Sequence, residues 1–263
     1  MRIATWNVNS IKQRLDHLVT WLKETQPDIV CLQETKCQDE AFPRLEIEAA
    51  GYNVAFHGQK TFNGVAVLSR YPFDQVTMGL PSDDTDDHAR FLEAVVSTSE
   101  GVIRVASIYL PNGNPAGTEK YPYKLRWMER LASYAAERLT LEEPLVLAGD
   151  YNVIPDARDA ANPEAWVDDA LFLPDTRERF RALIDLGLTE TVRATTDEAG
   201  LYSFWDYQAG AWQKNNVVRI DHVLMSPQAT DKFVSATIDK HVRAWEKPSD
   251  HVPVVVDLAI NVK

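Results

Sequence analysis

Apolar runs that stop abruptly at an amide or a carboxylate recur along this chain, and that recurrence constrains its fold. Ile3-Ala4-Thr5-Trp6 is followed by Asn7 and Asn9, and Ile29-Val30-Cys31-Leu32-Gln33 by Glu34. Tyr109 ends an apolar run over 102–109, Leu145-Val146-Leu147-Ala148-Gly149 leads into Asp150 and Asn152, and Asp250-His251 stand directly before the run 252–258. Short, nearly continuous apolar runs of this kind read as strands buried on both faces. Strand ends on one edge of a sheet converge, so carboxylates far apart in sequence become neighbours in a cleft. A single Asp after a strand is ordinarily a turn residue or a helix cap; the repetition is what points to a site.

Helical segments alternate with these strands. Ser10 and Gln13 have capping-box spacing ahead of an apolar face of Ile11, Leu15, Leu18 and Leu22. A long helix is expected over about 119–139, with Trp127, Leu131, Tyr134 and Leu139 on one face. Asp175 and Glu178 are placed to cap another, which Gly187 stops. Further strands are expected at 53–57, 64–69, 91–98, 217–225, 233–241 and 252–260, whereas the Asp-, Ala- and Pro-rich stretch 154–174 resists assignment. The pattern fits a single α/β domain over residues 1–263: two packed mixed β-sheets flanked by helices, a four-layer αββα sandwich.

Composition narrows the partners. No stretch approaches the roughly 20 apolar residues of a membrane span, and the N-terminus reads as a strand with no leader pattern, so a cytoplasmic protein is expected. Lys and Arg number 27 against 39 Asp and Glu, a formal net charge of −12. That sign opposes nucleic-acid binding by bulk charge, but it allows a local basic face and suits a site for a divalent cation. Two cysteines make no disulfide scaffold, and Cys31, inside an apolar run, reads as a buried structural thiol.

The strings are more specific than the single residues. Thr5-Trp6-Asn7-Val8-Asn9-Ser10, Leu32-Gln33-Glu34-Thr35-Lys36, Tyr109-Leu110-Pro111-Asn112-Gly113-Asn114, Gly149-Asp150-Tyr151-Asn152, Arg219-Ile220-Asp221-His222 and Ser249-Asp250-His251-Val252-Pro253 occur in that order. Together they resemble the exonuclease III / AP endonuclease family of the endonuclease–exonuclease–phosphatase superfamily, from Trp6 to Pro253. The Leu-Gln-Glu-Thr-Lys and Tyr-Leu-Pro-Asn strings, with Tyr202-Ser203-Phe204-Trp205-Asp206-Tyr207, point to its DNA-repair branch.

The resemblance implies a nuclease that uses Mg²⁺, with Mn²⁺ as a substitute, acts on double-stranded DNA with abasic sites or 3′ ends, and works as a monomer. It implies Glu34 as the principal metal ligand, within a polar shell of Asn7, Asp150, Asn152 and Asp250. Asp150 would orient or deprotonate the attacking water, and Asn152 would hold Asp150 and donate to a phosphate oxygen. His251, paired with Asp221, would bind the scissile phosphate, and Tyr109 would donate to the phosphate or the leaving group. Which of Tyr109 and Asp150 handles each proton stays open at this point. So does Asn9, a helix cap or a member of the metal shell. His222 alternates with Asp221 on a strand and faces away from the site.

For DNA contacts the resemblance points to Arg90 and the pocket aromatic Phe204; Asn112, just after the Tyr109 strand, is the candidate for phosphate binding, and strand alternation turns Trp205 to the core. Lys120, Lys124, Arg126 and Arg130 form a basic cluster on the long helix; Lys214, Arg219, Lys240, Arg243 and Lys247 follow. Val217-Val218 stand where the family often has a second pocket aromatic, and Trp212 is the residue available to compensate. Two other functions compete: a small-molecule phosphoesterase with the same metal core, and a binding module without catalysis, which the full set of polar residues disfavours.

Overall fold

The computed structural model describes residues 1–206 and 217–262. Its elements in chain order are β1 (Arg2–Asn7), α1 (Leu15–Thr25), β2 (Ile29–Gln33), α2 (Arg44–Ala49), β3 (Asn53–His57), β4 (Val65–Ser69), β5 (Gln75–Met78), β6 (Phe91–Thr98) and β7 (Gly101–Tyr109). There follow α3 (Lys120–Leu139), β8 (Leu145–Asp150), α4 (Pro174–Ile184), β9 (Thr189–Glu190), α5 (Thr191–Thr195), β10 (Phe204–Trp205), β11 (Val217–Val218), β12 (Asp221–Met225), α6 (Pro227–Thr230), β13 (Phe233–Ile238) and β14 (Val254–Leu258).

Two six-stranded sheets dominate, ordered β13-β14-β1-β2-β4-β3 and β5-β6-β7-β8-β12-β9. Each is mixed: β1 runs parallel to β2 and β7 parallel to β8, whereas their other pairings are antiparallel. The two-residue alternation of strands explains the layering. Ile3, Ile29, Cys31, Val67, Val254 and Val256 of the first sheet meet Val105, Val146, Ala148, Val223 and Met225 of the second in one buried cluster. The opposite faces carry the helices. Leu18, Trp21 and Leu22 of α1 cover Ala4, Trp6, Val30 and Leu32. Trp127 and Leu131 of α3, with Phe180 and Leu183 of α4, cover Ile108, Leu147 and Leu224. Each such large apolar side chain contributes roughly 1.5–3 kcal/mol on full burial. The expected αββα sandwich is the fold found.

Two helix starts differ from the capping patterns. The first helix begins at Leu15, with Arg14 at the N-cap and no side-chain cap. Asn9 and Ser10 have positive φ (42° and 83°), and the N–H groups of Ser10 and Ile11 donate to the carbonyls of Glu34 and Thr35 at 2.8 and 3.1 Å. These bonds fold the chain after β1 back onto the end of β2 instead of releasing it into a helix. In α4, Pro174 rather than Asp175 starts the helix, since its fixed φ suits the first helical position. The strand expected over 217–225 is interrupted at Arg219–Ile220, and 240–244 is a 3₁₀ turn.

Candidate active site

The alternation that sends Val105, Val146 and Val223 into the core sends Tyr109, Asp150 and Asp221 to the same inter-sheet face at the strand ends. Register then places them side by side, for Asp150 pairs with Tyr109 on β7 and with Asp221 on β12. Below them a polar layer joins the sheets: Gln33 Nε2 donates to Ser107 Oγ (3.1 Å), and Ser107 Oγ donates to the Leu32 carbonyl (2.9 Å). Asn7 and Glu34 arrive from the first sheet, Tyr109, Asp150 and Asp221 from the second. The site is therefore a seam between the sheets.

Asn7 spans that seam, its Nδ2 donating to Glu34 Oε1 (2.8 Å) and Asp150 Oδ2 (2.9 Å). It spaces two carboxylates that would otherwise repel. Glu34, held at φ +51°, also contacts Lys36 Nζ through Oε2 at 2.9 Å. Burial alone would raise the Glu34 carboxyl, but Lys36 and the Asn7 amide bring it below its ordinary value. The second Asp150 oxygen accepts the N–H of Asn152 at 3.0 Å, within a turn in which Asn152 takes φ +48°. Burial, with Asp221 and Glu34 nearby, lifts Asp150 well above the usual carboxylate range.

His251 and Asp221 are bonded as expected, Nδ1 to Oδ2 at 2.8 Å, and Ser203 Oγ adds a second donor to that oxygen at 2.6 Å. The other ring nitrogen, Nε2, faces Asp150 Oδ2 at 3.7 Å. Burial by itself would lower the imidazole pKa, but the Asp221 and Asp150 carboxylates outweigh it and raise it. The Trp6 indole fixes the His251 main chain through its carbonyl (3.1 Å). Phe204 packs edge-on against the ring with centroids 4.9 Å apart. Tyr109 is partly buried beside Glu34, to which its hydroxyl donates, and Asp150; loss of solvent first and then these carboxylates push its pKa far up, so it stays protonated.

Ligand atoms of Glu34, Asp150 and His251 lie within 4.8 Å of one another, the one such group of His, Cys, Asp and Glu among the described residues. Two carboxylates at this spacing suit a hard, oxygen-seeking cation. Asp250 lines the same cleft, and its Oδ1 accepts the Asn9 amide at 3.1 Å. Asn9 caps no helix; its Oδ1 accepts Lys36 Nζ at 2.5 Å.

The cleft has a volume of about 390 Å³, and Trp166, Leu171, Phe204 and Ile220 form its apolar wall. Asn112 lies on its rim, donating to Asn152 Oδ1 at 3.2 Å. Asn152 Nδ2 donates to the Leu110 carbonyl at 2.9 Å. Arg90 sits over the Tyr109 ring, its guanidinium carbon 4.8 Å from the centroid, and bonds the Tyr109 carbonyl. Lys120 is exposed at the start of α3. Trp212, Lys214 and Tyr207 lie outside the described residues.

Three members of the basic clusters are taken up by the fold. Lys124 is fully buried. Arg130 is bound to Asp86 at 2.7 Å and to main-chain carbonyls. Arg219 is buried between Asp159 (2.8 Å) and Glu190 (2.7 Å). The sequence places Lys124 in a basic cluster with Lys120, Arg126 and Arg130 on the long helix, but Lys124 is buried and the other three are not. His222 does face away from the site, bonded to the Val153 carbonyl through Nε2 (2.9 Å).

Comparison with known proteins gives the family. The sequence profile described as Endonuclease/Exonuclease/phosphatase family matches residues 4–251. The chain belongs to the endonuclease/exonuclease/phosphatase family. Among its relatives in that family, the exodeoxyribonuclease III of Haemophilus influenzae is 33% identical over 262 residues, covering 97% of this chain and 98% of the relative. A solved structure of the 3′ phosphatase NExo from Neisseria, bound to a product DNA hairpin, matches with a TM-score of 0.93 at 36% identity, covering 98% of this chain and 99% of that one. An AP endonuclease from Archaeoglobus fulgidus gives 0.91 at 36% identity with the same coverage.

Within this endonuclease/exonuclease/phosphatase fold, Trp166 and Asp169 line the cleft and Lys36 stands beside it on Glu34, none of them given a role by the sequence alone. Lys36 lies inside one of the diagnostic strings, at positive φ (53°). Trp166 and Asp169 come from the stretch 154–174, whose turns carry no periodicity; Asp169 is positioned by the amide of Asn114 at 3.0 Å. Phe62, 65% exposed, stands on a loop bonded to the segment after Glu34 through Thr35 and Lys36.

Proposed function

We propose that this chain is a metal-dependent DNA-repair nuclease that hydrolyses phosphodiesters, cutting 5′ to abasic sites and removing nucleotides 3′→5′ from duplex ends. Each cut would leave a 3′-hydroxyl. One observation carries the reading: Asp150 stands between the Asn7–Glu34 side and the His251–Asp221 pair, in a cleft with an apolar opposite wall. The names of the relatives, an exodeoxyribonuclease III and an AP endonuclease, support the same substrate class.

Glu34, with Asp150 and Asp250 beside it, would hold Mg²⁺ or Mn²⁺, which when bound supplies charge relief at the phosphate and the leaving oxygen. Asp150 orients the attacking water and takes its proton, a task suited to a carboxylate whose basicity burial has raised. His251 carries its proton as imidazolium against Asp221, so its Nε2–H is the donor available to a phosphate oxygen. Tyr109 is the complementary donor to the departing 3′ oxygen, because its hydroxyl keeps its proton. Asn112 serves the phosphate and Phe204 the extruded sugar, for which the apolar wall leaves room without a base. Arg90 steadies Tyr109 from behind, and Lys120 and Trp212 extend the DNA surface. The protein works as a monomeric, cytoplasmic, single catalytic domain; among the described residues no helix is long and apolar enough to cross a membrane.

The test is a labelled duplex with one internal abasic-site analogue and a blocked 3′ end, incubated with Mg²⁺ or with EDTA. A single Mg²⁺-dependent cut 5′ to the lesion is expected, with stepwise 3′ digestion when the end is unblocked. Inactivity on both DNAs with turnover of a small phosphoester would replace the reading with a phosphoesterase.

A further inference from the structure

One charged side chain under the cleft has no part in the chemistry above. Lys124, in the second turn of α3, is 0% exposed. Its Nζ donates to the carbonyls of Asn112 at 3.0 Å and Asn152 at 2.5 Å, and it forms no ion pair with a described carboxylate. Burial lowers the Lys124 amine to about 7, against the pull of Asp169 and Asp150, and an apolar side chain would fill the same space without the cost of burying it. The surrounding chain is built to the lysine. Gly113 takes φ +88°, and a Cβ there would come within 2.7 Å of Lys124 Cδ. The loop after β7 thus wraps the lysine stem at backbone distance, and the lysine head binds the main chain of the loop after β8.

The two loops it joins both face the cleft. Asn112 bonds Asn152 side chain to side chain, and the Asn152 N–H holds Asp150 Oδ1 at 3.0 Å. We propose that Lys124 is a positioning residue: its Nζ, donating to both main-chain carbonyls, sets the spacing of the Asn112 and Asn152 loops and, through the Asn152 N–H, the aim of the Asp150 carboxylate. The proposal rests on the hydrolytic reading above. It assigns to Lys124 an effect chiefly on turnover, because a displaced acceptor slows reaction of bound substrate, whereas the shift of the Asn112 loop disturbs only one phosphate contact among several.

The experiment compares wild type with Lys124→Met, which keeps the unbranched stem as far as Cε and removes the donor, and Lys124→Gln, which keeps a donor on a shorter stem. Single-turnover cleavage at saturating DNA is measured beside DNA affinity and melting. Lys124→Met is expected to cleave on the order of 10²-fold more slowly, with affinity within about threefold and Lys124→Gln in between. Combined with Asn112→Ala it should lose less than the product of the single losses, since both act on one loop pair. A folded Lys124→Met that cleaves at the wild-type rate, that loses affinity instead, or whose loss multiplies with that of Asn112→Ala overturns the proposal. If the Met variant does not fold, Lys124→Gln decides by the same criteria. The side-chain amide resonances of Asn112 and Asn152 supply a readout independent of cleavage: they shift in the variants if Lys124 spaces the loops, and unmoved resonances overturn it. A wild type inactive on DNA with shifted amides would sink the substrate assignment and leave the positioning role standing.

Discussion

Lys36 Nζ lies 2.9 Å from Glu34 Oε2 and 2.5 Å from Asn9 Oδ1. The side chain is 30% exposed, so solvent screens the pair only in part. An ammonium and a divalent cation that share one carboxylate compete for it and repel each other. Lys36→Met should therefore bind Mn²⁺ about tenfold more tightly, read by titration of the paramagnetic ion. Unchanged or weaker binding would remove Lys36 from the cation's surroundings.

Asp150→Asn should reduce cleavage by about 10³-fold or more, because the amide cannot take a proton from water. Duplex binding should stay within a few-fold, since Asp150 is buried beneath the surface that meets DNA. Gel-shift and single-turnover measurements on the same preparation separate the two. A variant that keeps a tenth of wild-type turnover would move the base elsewhere.

Phe204→Ala and Trp166→Ala should each shift the balance between cutting at an abasic site and digesting a 3′ end. Both line the apolar wall, and an aromatic side chain against a substrate group is worth about 1–3 kcal/mol. A change of roughly tenfold in the ratio of the two activities is expected. Equal effects on both activities would make the wall a general support and not a selector.

Glu190→Gln bears on stability and its pH dependence. Burial alone would raise the Glu190 carboxyl, but Arg219 and His222 draw it down to about 2 from an ordinary 4.5. A depressed carboxyl contributes its full stability above the unfolded value and loses it as pH falls through the folded one. Wild type should exceed the variant by about 3 kcal/mol at pH 7. The gap should close as pH falls from 4.5 toward 2. Parallel denaturation curves at pH 7 and pH 3 check it, and a pH-independent gap would contradict the linkage.

Much of the site was legible in the sequence because it lies at strand ends. Period-two alternation carries Tyr109, Asp150 and Asp221 to one face once their strands are recognised, and the same rule turns His222 away. Side chains held by irregular backbone were not legible. Trp166 sits in turns without periodicity, and the Asn9–Ser10 turn, at positive φ, defeats a pattern that locally reads as a helix cap. Burial of single charges was equally hidden: Lys124 and Arg219 look like surface cations until packing shows which neighbours they meet.

The seam has a consequence for how this protein loses activity. Asn7 and Glu34 ride on one sheet and Asp150 and Asp221 on the other, so the sheets must keep their mutual alignment to within a fraction of an ångström. Secondary structure needs no such tolerance, because each sheet holds its own hydrogen bonds. Gentle warming or dilute denaturant would then silence the protein while its circular dichroism still looked native. Substitutions deep among the valines between the sheets, far from any substrate, would act as tuning screws on the reaction.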